Sequence, residues 1–575
     1  MQTIKNIYKA IYYKLFRLDD RLLLIVAGSI AGICSGLAAV ALRLSLESVT
    51  ELLHPLRHYW WAFVLPGVGA LLSSLYLEKV SREGAGHGIP EVIYAVSRYG
   101  GLLRLRSSYS RLISSFLTIS SGGSAGPEAP VVMSGSAIGS NIAKFLGLND
   151  RQRITLVGCG TAGAIAAIFN APIAGLVFSI EVLLGEWKFV NIIPIAIAAV
   201  AGAQVSQAII PEQVLFNHQP FKMMVVDILP SLGLAVLAAL ISVLFTKSLR
   251  KLGEIAKKSS LPFWGRVIVG GCAVGAIGSF MPLVLGEGYH FIQSMISGTF
   301  SMGLFLTFVA IFAKIFATGM TLGWGGSGGI FAPCLVIGSL TGVVFHKVLF
   351  FLLPSADIAS EGAYALLGMT GLISGVMQAP LTGIFLIVEI TGGYETILPL
   401  ILVSSISCTM SHYIEPASYY LKDLIERGQF MRPGTDARIL SDLRLNELVE
   451  TDYTKVSENM VFRDFIEIIK LSKQNFFPVV EDKTDIYKGV IQLNTIRKYA
   501  LEPGMYDMVF LNQVMDAEVI TVSLEDDLQD VLDSMDLNNM DTIPVVENDR
   551  FVGMIAKTRV LDLYRRELIM QTNIQ

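Results

Sequence analysis

The sequence predicts a polytopic all-α membrane protein, built of two related halves with broken helices and followed by a smaller α/β region. Three observations support this prediction: an apolar composition, a repeated glycine- and proline-rich phrase, and a change of patterning after Gly434. Of the 575 residues, 53% are hydrophobic and only 16% are charged, and the mean hydropathy is +0.57. This composition excludes an ordinary soluble protein, whose surface must meet water.

Long apolar runs predict the membrane-spanning helices. A helix needs roughly 20 residues to cross about 30 Å of hydrocarbon, and runs such as 22–46 and 302–319 approach or reach that length. Other apolar runs, such as 131–146, 173–184 and 381–390, are shorter and are bounded by Gly or Pro. Such segments are typical of helices that stop part-way, which is tolerable only where protein or a water-filled cavity covers the freed backbone groups.

An internal repeat predicts the two halves. The phrase GGSAGPEAP at Gly122–Pro130 returns as GGSGGIFAP at Gly325–Pro333, an offset of 203 residues. A second match at an offset of 208 aligns Gly, Ala-Pro and Glu positions of 160–181 with those of 368–389. Repeated halves with broken helices at matching positions are the pattern of transporters and channels whose binding site lies at mid-membrane. The repeat by itself leaves open whether the halves are inverted.

The remainder of the chain is acidic and has mixed α/β patterning. From Asp436 onward there are 15 Lys+Arg and 26 Asp+Glu, a net charge of −11. Before Asp436 there are 29 Lys+Arg and 22 Asp+Glu, a net charge of +7. Two short β-branched strands, FFPVVED at Phe476–Asp482 and TIPVVEND at Thr542–Asp549, mark two small modules about 65 residues apart. The predicted boundaries are an N-terminal segment 1–20, a membrane region 21–430 with halves of about 20–210 and 225–430, a linker 431–440, and modules 441–505 and 510–572.

The glycine phrases predict an anion site. Glycine lets the backbone approach a ligand, and proline suits the first turn of a helix, so each phrase indicates a loop that leads into a helix N-terminus. Such an end offers free N–H donors and about half a positive charge. Glu128, in the first phrase, would be the protein's own anion at this site and would act as a gate. The alternative is that Glu128 caps its own helix.

Three phrases in order resemble those of the CLC family of chloride channels and chloride/proton antiporters. They are GHGIPE at Gly86–Glu91, GPEAP at Gly126–Pro130 and GIFAP at Gly329–Pro333, and the resemblance covers essentially the whole chain. The two modules of the tail resemble the cystathionine-β-synthase (CBS) domains that follow many family members. The resemblance implies two inverted halves, a homodimer with one anion pathway per subunit, and a bacterial plasma membrane location with the CBS pair in the cytoplasm. A cytoplasmic N-terminus is predicted by the positive-inside rule, because five Lys and Arg residues precede the first long apolar run.

The resemblance also implies the roles of individual residues. Glu128 is then the gating glutamate, and a tyrosine of the last membrane helix donates its hydroxyl to the anion. That tyrosine is Tyr420 by its register to Arg427-Gly428, with Tyr419 as the alternative. The residues implied to contact the anion are His87, Gly88, Ile89, Ala129, Pro130, Val131, Ile330, Phe331 and Tyr420.

Two departures from the family pattern bear on mechanism. His87 replaces the family's serine, and its imidazole could donate an N–H, charge near pH 6.5 or point away from the anion. Val182 stands where proton-coupled members carry an inner glutamate, directly after Glu181. We interpret Glu181 and its repeat mate Glu389 as buried structural carboxylates, although Glu181 could border a proton path.

These observations predict passive anion conduction gated by Glu128, with proton-coupled chloride exchange through the same pore as the alternative. A cation pathway is disfavoured because amide-rich helix ends select anions, and a nucleotide sensor with a mere membrane anchor would not need the duplicated half-helices. The expected partners are chloride and similar anions, membrane lipid and a second copy of the chain, with no nucleic acid. No enzyme activity, cofactor or metal site is expected. His54 and His58 lack a third ligand, and Thr495 and Arg559 replace the Asp with which CBS modules commonly hold ribose.

Overall fold

The computed structural model describes residues 20–83, 88–210, 216, 225–354, 358–394, 396–427, 445–472, 474–482, 484–526, 528–538 and 540–572. The chain forms two compact units that divide between residues 430 and 431. The predicted linker 431–440, His87 and nearly all of the predicted segment 1–20 lie outside the described residues. The predicted module boundaries within the tail stay predictions.

The regular elements in the described part of the first unit are all helices. Its helices are α1 (Asp20–Leu53), α2 (Leu65–Leu75), α3 (Ile89–Arg98), α4 (Ser107–Ser120), α5 (Glu128–Phe145), α6 (Asp150–Phe169), α7 (Pro172–Phe178), α8 (Phe189–Ile209), α9 (Ile228–Lys258), α10 (Phe263–Phe280), α11 (Tyr289–Ile296), α12 (Leu304–Gly323), α13 (Phe331–Leu352), α14 (Glu361–Met377), α15 (Pro380–Thr391), α16 (Ile397–Ile414) and α17 (Tyr419–Glu426). Among the described residues, nine helical segments are long and apolar enough to cross a membrane. The apolar helices Pro172–Leu184 and Pro380–Thr391 are shorter. The predicted fold class is confirmed.

Hydrogen bonds between the halves are reciprocal. The backbone N–H of Ser124 donates to the hydroxyl of Thr321 at 3.0 Å, and that of Ser327 donates to the hydroxyl of Thr118 at 3.1 Å. Both pairs obey the 203-residue offset of the sequence repeat. A contact in which each half supplies the same donor and the same acceptor to the other is self-complementary, as at a two-fold axis. The repeat therefore builds one shared interface inside the unit.

A second reciprocal contact uses carboxylates. Glu389 accepts hydrogen bonds from two N-terminal amides of α7, at 3.0 and 2.7 Å. Glu181 accepts from the N–H of Leu381 at 3.1 Å and from the N–H and the hydroxyl of Thr382, both at 2.7 Å. Each glutamate thus caps a short broken helix of the opposite half, where free N–H groups and the helix dipole favour an anion. These bonds are those expected of structural carboxylates.

The second unit contains two small α/β modules. Its elements are α18 (Leu445–Leu448), β1 (Val456–Ser457), α19 (Phe462–Leu471), β2 (Phe476–Val480), β3 (Tyr487–Gln492), α20 (Leu493–Ala500), α21 (Leu528–Leu537), β4 (Thr542–Glu547), β5 (Arg550–Ala556) and α22 (Lys557–Thr572). Strand β2 pairs in parallel with β1 and antiparallel with β3, and β4 pairs antiparallel with β5. Each sheet packs on its helices around its own apolar core. The two strands read from the sequence are therefore β2 and β4.

Candidate anion site

The two glycine phrases contact each other in the buried interior of the first unit. The N–H of Gly126 donates to the carbonyl of Gly329 at 2.9 Å, and the N–H of Gly329 donates to the carbonyl of Gly126 at 2.7 Å. Helices α5 and α13 begin two residues later, at Glu128 and Phe331. Two helix N-termini with free amides therefore lie side by side inside a membrane protein, an arrangement that stabilises a negative charge.

Glu128 occupies this meeting point. Its side chain is buried, with 1% exposed, and its Oε1 accepts a hydrogen bond from the hydroxyl of Tyr289. Its Oε2 lies over Gly126, where an added Cβ would be 2.0 Å away. The backbone amides of Glu128 and Ala332 are close enough to stabilise the carboxylate electrostatically, although Oε2 has no hydrogen bond of standard geometry within the described part of the chain. The carboxylate is thus held between both helix ends.

The first family phrase reaches the same place through Gly88. This residue precedes α3 with a φ of 81°, a left-handed conformation that favours glycine. A Cβ on Gly88 would lie 3.2 Å from the carbonyl of Ala129 and 3.3 Å from Cβ of Met133, so α3 starts in close contact with the first turn of α5. Ile89, the first residue of α3, is 1% exposed. Three helix N-termini therefore converge.

The structure distinguishes the two candidate tyrosines. Tyr420 is 1% exposed, and its hydroxyl has no hydrogen-bond partner among the described residues. The phenol lies close enough to Cys334, in the first turn of α13, and to Glu128 to interact with both electrostatically. Tyr419 is half-buried on the same helix and contacts Tyr420 edge-on at 5.7 Å between ring centroids. A buried hydroxyl without a partner is costly unless a ligand or water accepts from it.

The other residues predicted to contact the anion are also buried near these helix ends. They are Ala129, Pro130, Val131, Ile330 and Phe331. The ring of Phe331 packs on Phe169 and Phe178, with centroid distances of 5.3 and 6.3 Å. Val182 lies farther along the chain, partly buried against the apolar core. His87 is outside the described residues, so its role stays a prediction.

Three residues that are linked to Glu128 directly or through one another were not found by sequence reasoning. Tyr289 donates to its carboxylate, Lys314 is fully buried on α12, and Glu287 lies within electrostatic range of both Lys314 and Glu128. Lys314 carried a usable signal, because a lysine inside an apolar run is rare and usually functional. Tyr289 and Glu287 carried none, since the short segment around them has neither a motif nor a periodic pattern.

Two parts of the chain match known protein families. The family described as "Voltage gated chloride channel" matches residues 69–412, and the family described as "CBS domain" matches residues 511–566. The first match covers most of the helical unit, and the second covers strands β4 and β5 with the adjoining helices.

Individual relatives and a solved structure agree with these matches. A protein of Ralstonia nicotianae provisionally named a ClcB-like chloride channel protein is 29% identical over 372 residues, 64% of this chain and 86% of the relative. A Vibrio vulnificus protein named H(+)/Cl(-) exchange transporter ClcA is 29% identical over 395 residues, 66% of this chain and 83% of the relative. The crystal structure of a slow cyanobacterial Cl-/H+ antiporter has a TM-score of 0.65 at 21% identity, covering 72% of this chain and 99% of that one.

The prediction of passive conduction is wrong in the light of these relatives. That prediction depended on Val182, which replaces the inner glutamate of proton-coupled members. Similar proteins named as H(+)/Cl(-) exchange transporters, from Vibrio vulnificus and Vibrio cholerae, support the alternative instead. The prediction required a carboxylate at the position of Val182. That requirement is too strict, because a hydrogen-bonded chain of water can carry protons past an apolar side chain.

Proposed function

This chain belongs to the voltage-gated chloride channel family, and we propose that it exchanges chloride for protons across a membrane. It is a multi-pass integral membrane protein of that family, whose members are transporters and channels. The observation that carries the proposal is the position of Glu128, a protonatable anion held between two helix N-termini. One group can then compete with chloride and also carry a proton.

The proposed cycle uses the two protonation states of Glu128. While ionised, the carboxylate occupies a position that suits an anion and blocks it. Protonation removes the charge that the amides stabilise, and the neutral side chain then leaves that position to chloride. Movement of chloride is thereby linked to binding and release of a proton by the same side chain.

Chloride would be held by groups without fixed positive charge. The proposed donors are backbone amides around Ala129–Val131 and at Ile330 and Phe331, with the hydroxyl of Tyr420. The buried hydroxyl of Tyr420 supports this assignment because no described protein group accepts from it. Neutral donors bind an anion weakly enough to release it, as transport requires. Gly88, Ile89 and His87 would contact the anion from the third helix end.

The proposal includes features that family membership favours. We expect a homodimer with one pathway per subunit, and a tail and N-terminus that face the cytoplasm. The side chain at Val182 has no titratable group, so protons would reach the inner side of Glu128 through water or through another residue.

Purified protein in liposomes tests the exchange. A chloride gradient is imposed without a pH gradient, and potassium with valinomycin clamps the voltage at zero. Wild-type protein should move protons in the direction opposite to chloride, although neither a voltage nor a pH gradient drives them. Chloride movement with no accompanying proton movement under this clamp would refute the proposal.

The variant Glu128→Gln separates the two roles. It should still pass chloride, because a neutral amide mimics the protonated gate, and it should move no protons. The matched control is Glu186→Gln, which removes a carboxylate that pairs with Lys188 at 2.5 Å, outside the site. Proton movement that persists in Glu128→Gln would show that another group carries the proton.

A further inference from the structure

We propose that Tyr289 is a latch that holds the carboxylate of Glu128 in the closed position, and that buried Lys314 positions this latch. Both residues act on the gate of the proposed exchanger, so this inference rests on the proposed function. Neither residue belongs to the glycine phrases or to the set of predicted anion donors.

Tyr289 contacts the gate directly. Its hydroxyl donates to Oε1 of Glu128, 161 residues away in the chain. Oε2 has no partner of standard geometry among the described residues. The Tyr289 hydroxyl is therefore the side-chain donor that the closed carboxylate uses there. A hydrogen bond to a charged group in a low-dielectric site is stronger than one between neutral groups. The ionised gate is thus stabilised in place by a group that has no charge of its own.

Tyr289 is held from two sides. Its ring meets that of Phe216 edge-on, with centroids 6.1 Å apart. It is also the first residue of α11, directly after Gly288, whose φ is 84°. A Cβ on Gly288 would come within 2.7 Å of the Val336 side chain on α13, so this turn packs tightly against the helix that begins at the anion site.

Lys314 fixes the segment that precedes Tyr289. Its ammonium is fully buried and donates to the carbonyls of Val284 and Gly286 at 3.1 and 3.0 Å. The N–H of Gly286 in turn donates to the carbonyl of Gly122, in the first glycine phrase, at 3.3 Å. Lys314 thus ties helix α12 to the segment just before Tyr289, and the backbone N–H of Gly286 ties that segment to the loop before Glu128.

One acidic side chain, that of Glu287, interacts electrostatically with Lys314. Glu287 lies within electrostatic range of Lys314, of Glu128 and of Arg43. A buried ammonium is expensive unless it is paired and hydrogen-bonded, so the bonds to Val284 and Gly286 are what make its burial tolerable, and they fix the segment before Tyr289. The other titratable groups that face this cluster are Glu47 on α1, Cys334 on α13 and Tyr420 on α17.

Removal of the latch should favour opening. In Tyr289→Phe the ionised carboxylate loses its donor, so it is protonated and leaves the closed position at a higher pH. The pH of half-maximal chloride flux should rise by about one unit, with a roughly tenfold higher flux at neutral pH. The matched control is Tyr413→Phe, which removes a hydroxyl from a 90% exposed tyrosine on α16. Equal midpoints in the two variants would overturn the latch.

A second readout does not depend on transport. Infrared difference spectra show the C=O stretch of a protonated carboxyl, and the band missing in Glu128→Gln belongs to the gate. The pH at which this band appears should rise in Tyr289→Phe and not in Tyr413→Phe. This measurement remains decisive even if wild-type protein moves no protons, so failure of the latch and failure of the exchange are distinguishable.

The positioning role of Lys314 is tested in the same assays. Lys314→Met should move the flux midpoint and the infrared midpoint upward like Tyr289→Phe, whereas Lys251→Met, an exposed lysine on α9, should move neither. Lys314→Arg keeps the charge and the hydrogen-bond donors, so its flux and infrared midpoints should equal those of the wild type. This variant provides a second measurement if Lys314→Met does not fold. A shift in Tyr289→Phe together with wild-type midpoints in Lys314→Met would refute the lysine's role.

Discussion

Gly126 offers a sharp steric test of where the gate lies. Its backbone is outside the left-handed region, so alanine is conformationally acceptable there. An added Cβ, however, would sit 2.0 Å from Oε2 of Glu128 and 2.9 Å from Cβ of Ala332. Real Cβ contacts are essentially never shorter than 3.0 Å, so the carboxylate must move by at least about 1 Å. We expect the carboxylate to lose its hydrogen bond with Tyr289 as it moves away from Gly126.

The magnitude follows from that lost bond. A hydrogen bond to a charged group contributes about 1.5–3 kcal/mol, and each 1.4 kcal/mol is a factor of ten in an equilibrium constant. Gly126→Ala should therefore lower the occupancy of the closed gate relative to the open one by roughly 10- to 100-fold. Liposomes with this variant should release chloride faster at neutral pH and move fewer protons per chloride than wild type.

A double-mutant cycle isolates the carboxylate contact. In a Glu128→Ala background the clashing oxygen is absent and the close contact with Cβ of Ala332 remains, so adding Gly126→Ala should change the chloride rate much less than it does in the wild-type background. Gly329→Ala is the comparator from the other half, since the nearest neighbours of its Cβ would be Ala129 at 3.0 Å and the carbonyl of Gly126 at 3.3 Å. Gly303→Ala, whose Cβ would meet nothing within 4 Å, is the stability control. The same rate change from Gly126→Ala in both backgrounds would refute the reasoning.

Two further predictions concern stability and the tail. Glu181→Ala removes three accepted hydrogen bonds and Glu389→Ala removes two. We expect each variant to lower the free energy of unfolding by about 2–5 kcal/mol, with the larger loss for Glu181→Ala. A wild-type melting temperature of either variant in detergent would contradict this. Thr495 and Arg559 stand where CBS modules commonly carry the Asp that holds ribose, and the hydroxyl of Thr495 donates to the carbonyl of Gln492 at 2.9 Å. Millimolar ATP should therefore not raise the melting temperature of the full chain. Saturable micromolar binding by calorimetry would contradict this.

Several conclusions could be reached from the sequence because they depend on local properties. Apolar composition marks the membrane class, and Gly and Pro mark where helices begin whatever surrounds them. The repeat of GGS…AP can be read directly from the order of residues, and so can the presence of a carboxylate, Glu128, in only one of the two copies. The strands β2 and β4 were also visible, since β-branched alternation is a short-range signal.

The passive channel was a wrong inference from the same kind of local signal. Substitution at Val182 was treated as if one side chain decided proton access. Access depends on the whole path, including water, and a linear pattern does not describe that path.

Tertiary packing alone decided who the partners of Glu128 are. Its donor Tyr289 is 161 residues away. The register to Arg427-Gly428 favours Tyr420 over Tyr419, but only packing shows that the Tyr420 hydroxyl is buried without a partner among the described residues. The pairing of Gly126 with Gly329 likewise required two distant loops to meet. Such contacts are set by how the two halves pack against each other. Because that packing minimises the energy of the whole unit, no short window of residues contains it.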